Sequence, residues 1–370
     1  MRIVVDEVQA ESVVTPPRPV PGSAVPASLR KARPTPPGER ASDLADPRWL
    51  VGVWAVVVVL AAVTAWRSHV VGIPLRDPDG QMFRGRLQSA LVLLALLSVV
   101  DAVWRARSWR SPRAWFATWR ARWWGRRLGF AVSGLVAYHA VYICYRNLKS
   151  WDAFNTPHDD DLLALDRWLF FGHSPASLLH DVLGTHTSAY VLMVVYKSFT
   201  YFVPLSIVGA LVFAPRIRDA YVFVAAGMWL WILGVGSYYL IPTLGPFASD
   251  AADFTGLTRT SITGTQAEYL TERMHLLTHP EAHDAFASIS AFASLHVAFT
   301  TLILLMLRYY GLRRAAQVWG VYLAAVMVAP VYFGWHFVID VPAGVAVAVL
   351  SVLFGRWLIY PRGAAEQPAP

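Results

Sequence analysis

A single cysteine, Cys144, is all the chain carries, so no disulfide can form within it and no redox compartment can be read from it. Charge is scarce too. Only 15% of the residues are charged, against about 25% in a soluble domain. Acid is scarcer than base, 24 residues against 32. An apolar h-region is missing from residues 1–47, which excludes a secretory signal peptide there. That segment also lacks aromatic residues and hydrophobic periodicity. Its stretch PPRPVPGSAVPASLRKARPTPPGER buries too little apolar surface to offset the entropy of ordering, so a disordered tail is expected. Arg30, Lys31 and Arg33 read as solvated charges of that tail rather than a lipid-binding cluster.

What is present is apolar. Hydrophobic residues make up 56% of the chain and the mean hydropathy is +0.42. Sixteen tryptophans and fifteen tyrosines suit the two membrane–water interfaces. Eight stretches are long enough to cross a bilayer: Trp49–Trp66, Leu87–Trp104, Leu128–Tyr145, Thr187–Phe213, Ala220–Ile241, Ala291–Arg308, Ala315–Phe333 and Phe337–Tyr360. No internal repeat is evident.

The net charge of +8 is a topology signal rather than a nucleic-acid footprint. SWRSPRAWFATWRARWWGRR, after the second span, is dense in arginine, and further bases sit at Arg216, Arg218, Arg313 and Arg314. The long connections 146–186 and 242–290 are poor in base, and the first carries Asp159, Asp160 and Asp161. Both termini are therefore expected in the cytoplasm, with the two long loops outside. The Ala-, Arg- and Val-rich style adds the expectation of a bacterial plasma membrane. In DDDLLALDRWLFFGHSPASLLHDVL the spacing of Leu162, Leu165 and Leu169 predicts an interfacial helix, with acids at its positive end.

On this topology two pairs of polar residues reach the outer ends of spans. PVYFGWHFVIDVPAG carries His336 and Asp340, and AFASLHVAF carries Ser294 and His296. If the chain is helical at residue 336, positions i and i+4 share a face, and Gly344 one turn on would admit a close neighbour. A carboxylate beside an imidazole fixes its tautomer and makes the other nitrogen a better base or nucleophile. Pro342 argues that the regular helix starts only near Asp340, which would make that residue an N-cap. Ionisable groups inside a membrane are functional hypotheses by default.

Ser-x-His opening one span, followed about forty residues later by His-x-x-x-Asp at another, resembles the type 2 phosphatidic acid phosphatase superfamily. YYLIPTLGPF, the SLH triplet, HFVIDVPAG and LDRWLFFGHSP resemble its inositol phosphorylceramide synthase branch. The resemblance covers residues 128–360. It implies an all-α polytopic membrane protein, a six-helix core with two added N-terminal spans. The expected organisation is a tail 1–47, an added two-span unit 48–127, a catalytic domain 128–361 and a tail 362–370.

The resemblance further implies that His336 attacks phosphorus, that Asp340 orients and charge-stabilises it, and that His296 shuttles the proton of the leaving and incoming oxygens. Ser294 would hold phosphate oxygens. The substrate would be a phospholipid, with no cofactor and no metal. The implied reaction is transfer of a phosphoryl or phospho-head group to a lipid alcohol, or to water. Two departures favour transfer over plain hydrolysis: the arginine expected six residues before the nucleophile is Pro330, and Pro242–Phe247 replaces the basic first motif. Pro242 and Thr243 of that stretch, with Lys197 and Arg259, are the remaining substrate-binding candidates. Arg146, Lys149, Arg167 and Arg273 are the other bases within reach.

Lys197 lies ten residues into its span, about 15 Å deep. It also supports a different class, a transporter with Lys197 as the working charge. A haem protein ligated by His296 and His336 is a third reading, although haem calls for neither Ser294 nor Asp340. His275, His279 and His283 recur every four residues, but Pro280 interrupts them and no fourth ligand is specified, so a loop or interfacial helix is expected. Asp101 and Arg105 predict a local i,i+4 ion pair. Nothing in the sequence speaks to oligomeric state.

Overall fold

The computed structural model describes residues 48–361 apart from 108, 109 and 124. The expected tails, 1–47 and 362–370, lie outside the described residues. The described chain is all helical: α1 (Arg48–Val71), α2 (Arg86–Ala106), α3 (Pro112–Trp123), α4 (Arg126–Trp151), α5 (Asp159–Leu169), α6 (Pro175–Leu183), α7 (Thr187–Phe213), α8 (Ile217–Leu240), the single turn α9 (Pro246–Ser249), α10 (Ser261–Thr278), α11 (Leu295–Tyr309), α12 (Arg313–Tyr332) and α13 (Asp340–Ile359).

Seven helical stretches are long and apolar enough to cross a bilayer: α1, 78–106 ending in α2, 126–154 beginning with α4, α7, α8, α12 and α13. The chain is an integral membrane protein. The sixth expected span, Ala291–Arg308, is shorter than its sequence suggests, because α11 has only 15 residues, about 22 Å of helix. Residues 291–294, expected in that span, are held outside the helix by hydrogen bonds. Ala291 N–H donates to the Thr243 carbonyl at 2.9 Å, Ala293 N–H to Ser237 Oγ at 2.9 Å, and Ser294 N–H to the Asp340 carbonyl at 3.1 Å.

Helix α8 is the centre of the bundle, with 78% of its most apolar stretch buried, and α4, α11 and α13 pack around it. Small residues set the spacing. A Cβ on Gly355 of α13 would fall 2.7 Å from the Ala226 nitrogen of α8. Gly344 admits a neighbour as expected: a Cβ there would meet the Ser294 carbonyl at 2.5 Å. The added helix α1 packs on α4, and α2 packs on α7 and α4.

At the end of the bundle away from His336, arginines satisfy helix C-terminal carbonyls that have no partner within their own helix. Arg127 donates to the carbonyls of Leu211, Val212 and Ala214 at 2.8–3.4 Å. The expected Asp101–Arg105 pair forms at 2.6 Å, and Arg122 joins Asp101 at 3.0 Å.

The acidic connection holds two short helices, α5 and α6, and the face of α5 that packs inward differs from expectation. Leu162 is buried, but Leu165 is half-buried and Leu169 exposed, while Asp159 and Asp166 are buried. Hydrogen bonding decides this: both carboxylates find backbone N–H donors in the loops beneath them.

Candidate active site

The loop between α12 and α13 carries His336. Helix α13 begins at Asp340, so His336 and Asp340 do not share a helical face; the loop turns the imidazole back onto the carboxylate. His336 Nδ1 and Asp340 Oδ2 are 3.0 Å apart, and the Phe337 N–H donates to the same oxygen at 3.2 Å. Asp340 is fully buried and its Oδ1 has no hydrogen-bond partner among the described residues. With Nδ1–H donating to the carboxylate, Nε2 keeps the lone pair. Burial first, then the charge of Lys149, pushes the His336 pKa down to about 3, against an opposing effect of the Ala291 carbonyl. That shift favours the neutral imidazole, the form a nucleophile requires.

Neighbouring elements fix this loop at every turn. Gly334 takes a left-handed φ of +71°, which lets the chain reverse after α12. Its carbonyl accepts from Phe247 N–H at 2.9 Å. Gln266 of α10 donates to the Phe333 carbonyl at 2.7 Å, and the Asp166 carboxylate of α5 accepts from Val338 N–H at 3.2 Å. Asp159, at the other end of α5, accepts from Leu244 and Gly245 N–H at 2.8–3.0 Å. Gly245 must be glycine: φ is +105° and a Cβ would lie 2.5 Å from the Trp335 carbonyl oxygen. Burial pushes both carboxyls up, Asp166 to about 6.

A cavity of about 450 Å³ lies beside the loop, lined by His336 and His296 together with Arg146, Lys149, Lys197 and several aromatic rings. His296 stands in the first turn of α11, flanked by Tyr196, stacked at 4.1 Å between centroids, and by Phe199 at 4.3 Å. Arg146 bonds Ser288 at 3.1 Å, and Lys149 lies over the Tyr238 ring at 5.1 Å. No ion pair joins Lys197 among the described residues.

The candidates read from sequence thus fall into two groups. His336, His296 and Lys197 meet at the cavity, and Asp340 supports His336 from behind. Ser294 is fully buried just before α11 and its hydroxyl has no partner among the described residues. Pro242 and Thr243 are engaged within the protein: the Pro242 carbonyl accepts from His158 N–H at 2.7 Å, and Thr243 Oγ1 from Phe292 N–H at 3.0 Å. Leu244, rather than either, lines the cavity. Arg259 is exposed and lies outside the lining. Arg167 pairs with Asp250 at 2.5 Å, and Arg273 donates to the Ala153 carbonyl at 2.9 Å.

Sequence reasoning did not separate Arg146 and Lys149 from these other bases. The signal lay in the spacing of Tyr142, Tyr145, Arg146 and Lys149, which puts two hydroxyls and two cations on one stripe of α4. The remaining aromatic walls, among them Tyr196, Tyr238, Tyr269 and Trp335, come from four separate elements and carried no local pattern.

A family model described as the PAP2 superfamily matches residues 160–354. No curated protein and no solved structure matches the chain. The matched stretch contains Ser294, His296, His336 and Asp340. It excludes α1 to α4, and therefore excludes the helix that supplies Arg146 and Lys149.

Proposed function

The chain belongs to the PAP2 superfamily, and on that premise we propose that it is a membrane lipid phosphotransferase of the inositol phosphorylceramide synthase type. It moves a phosphoryl or phospho-head group from a phospholipid to a lipid alcohol through a phosphohistidine at His336. The observation that carries this reading is His336 Nδ1 bonded to buried Asp340 at 3.0 Å, with the imidazole facing a cavity shared with His296, Arg146, Lys149 and Lys197.

Each part has a role. His336 forms the covalent intermediate, which divides one hard displacement into two. Asp340 holds the tautomer and balances the charge that develops on the imidazole. His296 gives a proton to the leaving oxygen and later takes one from the acceptor, a contribution of typically about 10²–10⁴-fold. Arg146, Lys149 and Lys197, which line the cavity, neutralise the phosphate in this reading in place of the missing motif bases, and the Ser294 hydroxyl offers a further hydrogen bond to phosphate. Pro242 and Thr243 act as positioning residues for the segment before α11.

Transfer is favoured over hydrolysis by the cavity itself. Its volume and its Tyr and Trp walls suit a polyhydroxylated head group carried on the phosphate. Hydrolysis with water as acceptor is the second reading, supported by the same two histidines. The basic loop at residues 105–127 supports a site on the extracytoplasmic face with cytoplasmic termini.

The test is release of phosphate and head group from labelled phosphatidylinositol and phosphatidic acid, with and without lipid-alcohol acceptors, beside His336→Ala. Turnover lost in the variant and stimulated by the alcohol supports transfer. Turnover indifferent to alcohol supports hydrolysis. Equal activity in the variant would remove His336 as nucleophile.

A further inference from the structure

A second, larger cavity of about 820 Å³ adjoins the first and shares with it Tyr142, Arg146, Phe199, Thr200, Tyr201 and Trp231. Its far walls come from three spans: Ala90 and Leu93 of α2, Leu135 of α4, and Val203, Ile207 and Val208 of α7. Only α7 among these lies in the part of the chain that the PAP2 model matches.

The cavity is elongated along the helices. From Arg146 to Leu135 it follows α4 for eleven residues, about 16 Å. Polar groups cluster at the end near the site, where Asp79, Gln81, Arg86 and Asp284 form the rim. The other end is mainly aliphatic and lies at the depth of the membrane-spanning segments; its one imidazole, His139, is bonded through Nδ1 to the Leu135 carbonyl at 2.8 Å, and Tyr138 adds an aromatic ring. The rim is fastened from two sides. Asn147 of α4 exchanges hydrogen bonds with the backbone of Arg76 at 2.8 and 2.9 Å, and Arg76 bonds the Ala285 carbonyl. Phe199 lines both cavities and touches His296, with ring centroids 4.3 Å apart. A molecule lying in the long cavity would thus bring its head past Phe199 to the acid–base histidine.

We propose that this chamber holds the hydrocarbon chain of the lipid alcohol whose oxygen His296 serves, and that α2 exists to close it. The proposal rests on the phosphotransferase reading. In the first half-reaction His336 nitrogen bonds to phosphorus and the phosphorus–oxygen bond to the lipid breaks. The electron pair goes to the lipid oxygen, which takes a proton from His296 in its imidazolium form, the form that the bound anionic phosphate stabilises, and leaves that imidazole neutral. In the second half the incoming alcohol gives its proton to His296 and its oxygen bonds to phosphorus. The phosphorus–nitrogen bond breaks and its pair returns to His336. The departing and arriving lipids occupy one chamber in turn, while the head group stays in the aromatic cavity.

Two substitutions that fill the chamber, Ala90→Phe and Leu93→Trp, test this in purified full-length protein with dipalmitoyl and dihexanoyl phosphatidic acid. The long-chain to short-chain turnover ratio is expected to fall at least about tenfold, mainly through KM, as loss of a hydrocarbon subsite requires. Val318→Trp, at a position 73% exposed on α12, is the control and keeps the ratio. An unchanged ratio in both filled variants overturns the chamber and leaves the phosphotransferase reading standing. A second readout does not need turnover: a diazirine at mid-chain of palmitoyl phosphatidic acid, photolysed on the wild type and on His336→Ala. Labelling of α2 and α7 residues that line the chamber, displaced by Leu93→Trp, supports the assignment even if no lipid is turned over. Labelling confined to exposed positions such as Val318 overturns it.

Discussion

Arginine and lysine are used in opposite ways at the two ends of this bundle. Away from the site, Arg127 spends its guanidinium on the carbonyls that end α7, and Arg105 and Arg122 share Asp101. Those charges close helix ends and tie α2, α3, α4 and α7 together. At the other end Arg146, Lys149 and Lys197 line a cavity beside two histidines. Asp152 and Glu272 lie near Lys149, and Glu272 near Arg146, yet no ion pair at contact distance joins any of the three bases among the described residues, which leaves them open to an anionic ligand. The comparison teaches that the functional bases are recognised by the cavity they face, since composition and depth alone do not separate them from the structural ones.

Substitutions at the two ends should therefore differ in kind. The largest effect after loss of the nucleophile is expected for His296→Ala, a fall in turnover of about 10²–10⁴-fold, since proton transfer to and from the lipid oxygen is lost in both half-reactions. Steady-state kinetics with labelled phospholipid would read it. Lys149→Met comes next, with a loss of about 10²-fold, the scale of removing one preorganised electrostatic partner. Arg146→Met should follow it more weakly, because Arg146 also bonds Ser288.

Asp166→Asn sharpens the comparison through pH. Its carboxyl stands at about 6 in the fold, raised chiefly by burial, against about 3.9 when unfolded. Between these values the folded state binds more protons, so this group's contribution to stability falls as pH rises from 4 through 6. Thermal unfolding at pH 5 and 7.5 should show wild type more stable at the lower pH by about 1 kcal/mol from this group. The slope should flatten in the variant. Turnover should change only a few fold, because asparagine keeps an acceptor for Val338 N–H.

The smallest effect on catalysis is expected at the far end. Arg127→Met should lower stability by about 1–3 kcal/mol, as buried carbonyls lose their donors, and leave turnover per folded molecule unchanged. A loss of turnover comparable with Lys149→Met would break the distinction between the two ends.

Much of this was legible in sequence because it was local. Hydrophobic length located seven of the spans, α7 to the residue, and Ser294 with His296 and His336 with Asp340 announced themselves as polar groups in apolar stretches. Three features were not legible. The start of α11 is set by hydrogen bonds that residues 291–294 donate to Ser237, Thr243 and Asp340, residues distant in sequence, so a continuous apolar run concealed a non-helical strip. Asp159 and Asp166 look like solvated acids of an amphipathic helix, and only the loops beneath them make burial favourable. Arg146 and Lys149 sit on a helix about 150 residues and more before the histidines, and no local pattern links the two.

The central claim is the covalent bond at His336. Rapid acid-free quenching of the protein with phospholipid labelled in the phosphate, followed by peptide mapping, tests it most directly, with His296→Ala used to slow discharge of the intermediate. The account predicts an acid-labile label on the peptide containing His336, formed and lost at rates compatible with turnover and absent in His336→Ala. Turnover in which the label never resides on the protein, or resides on another residue, would contradict it.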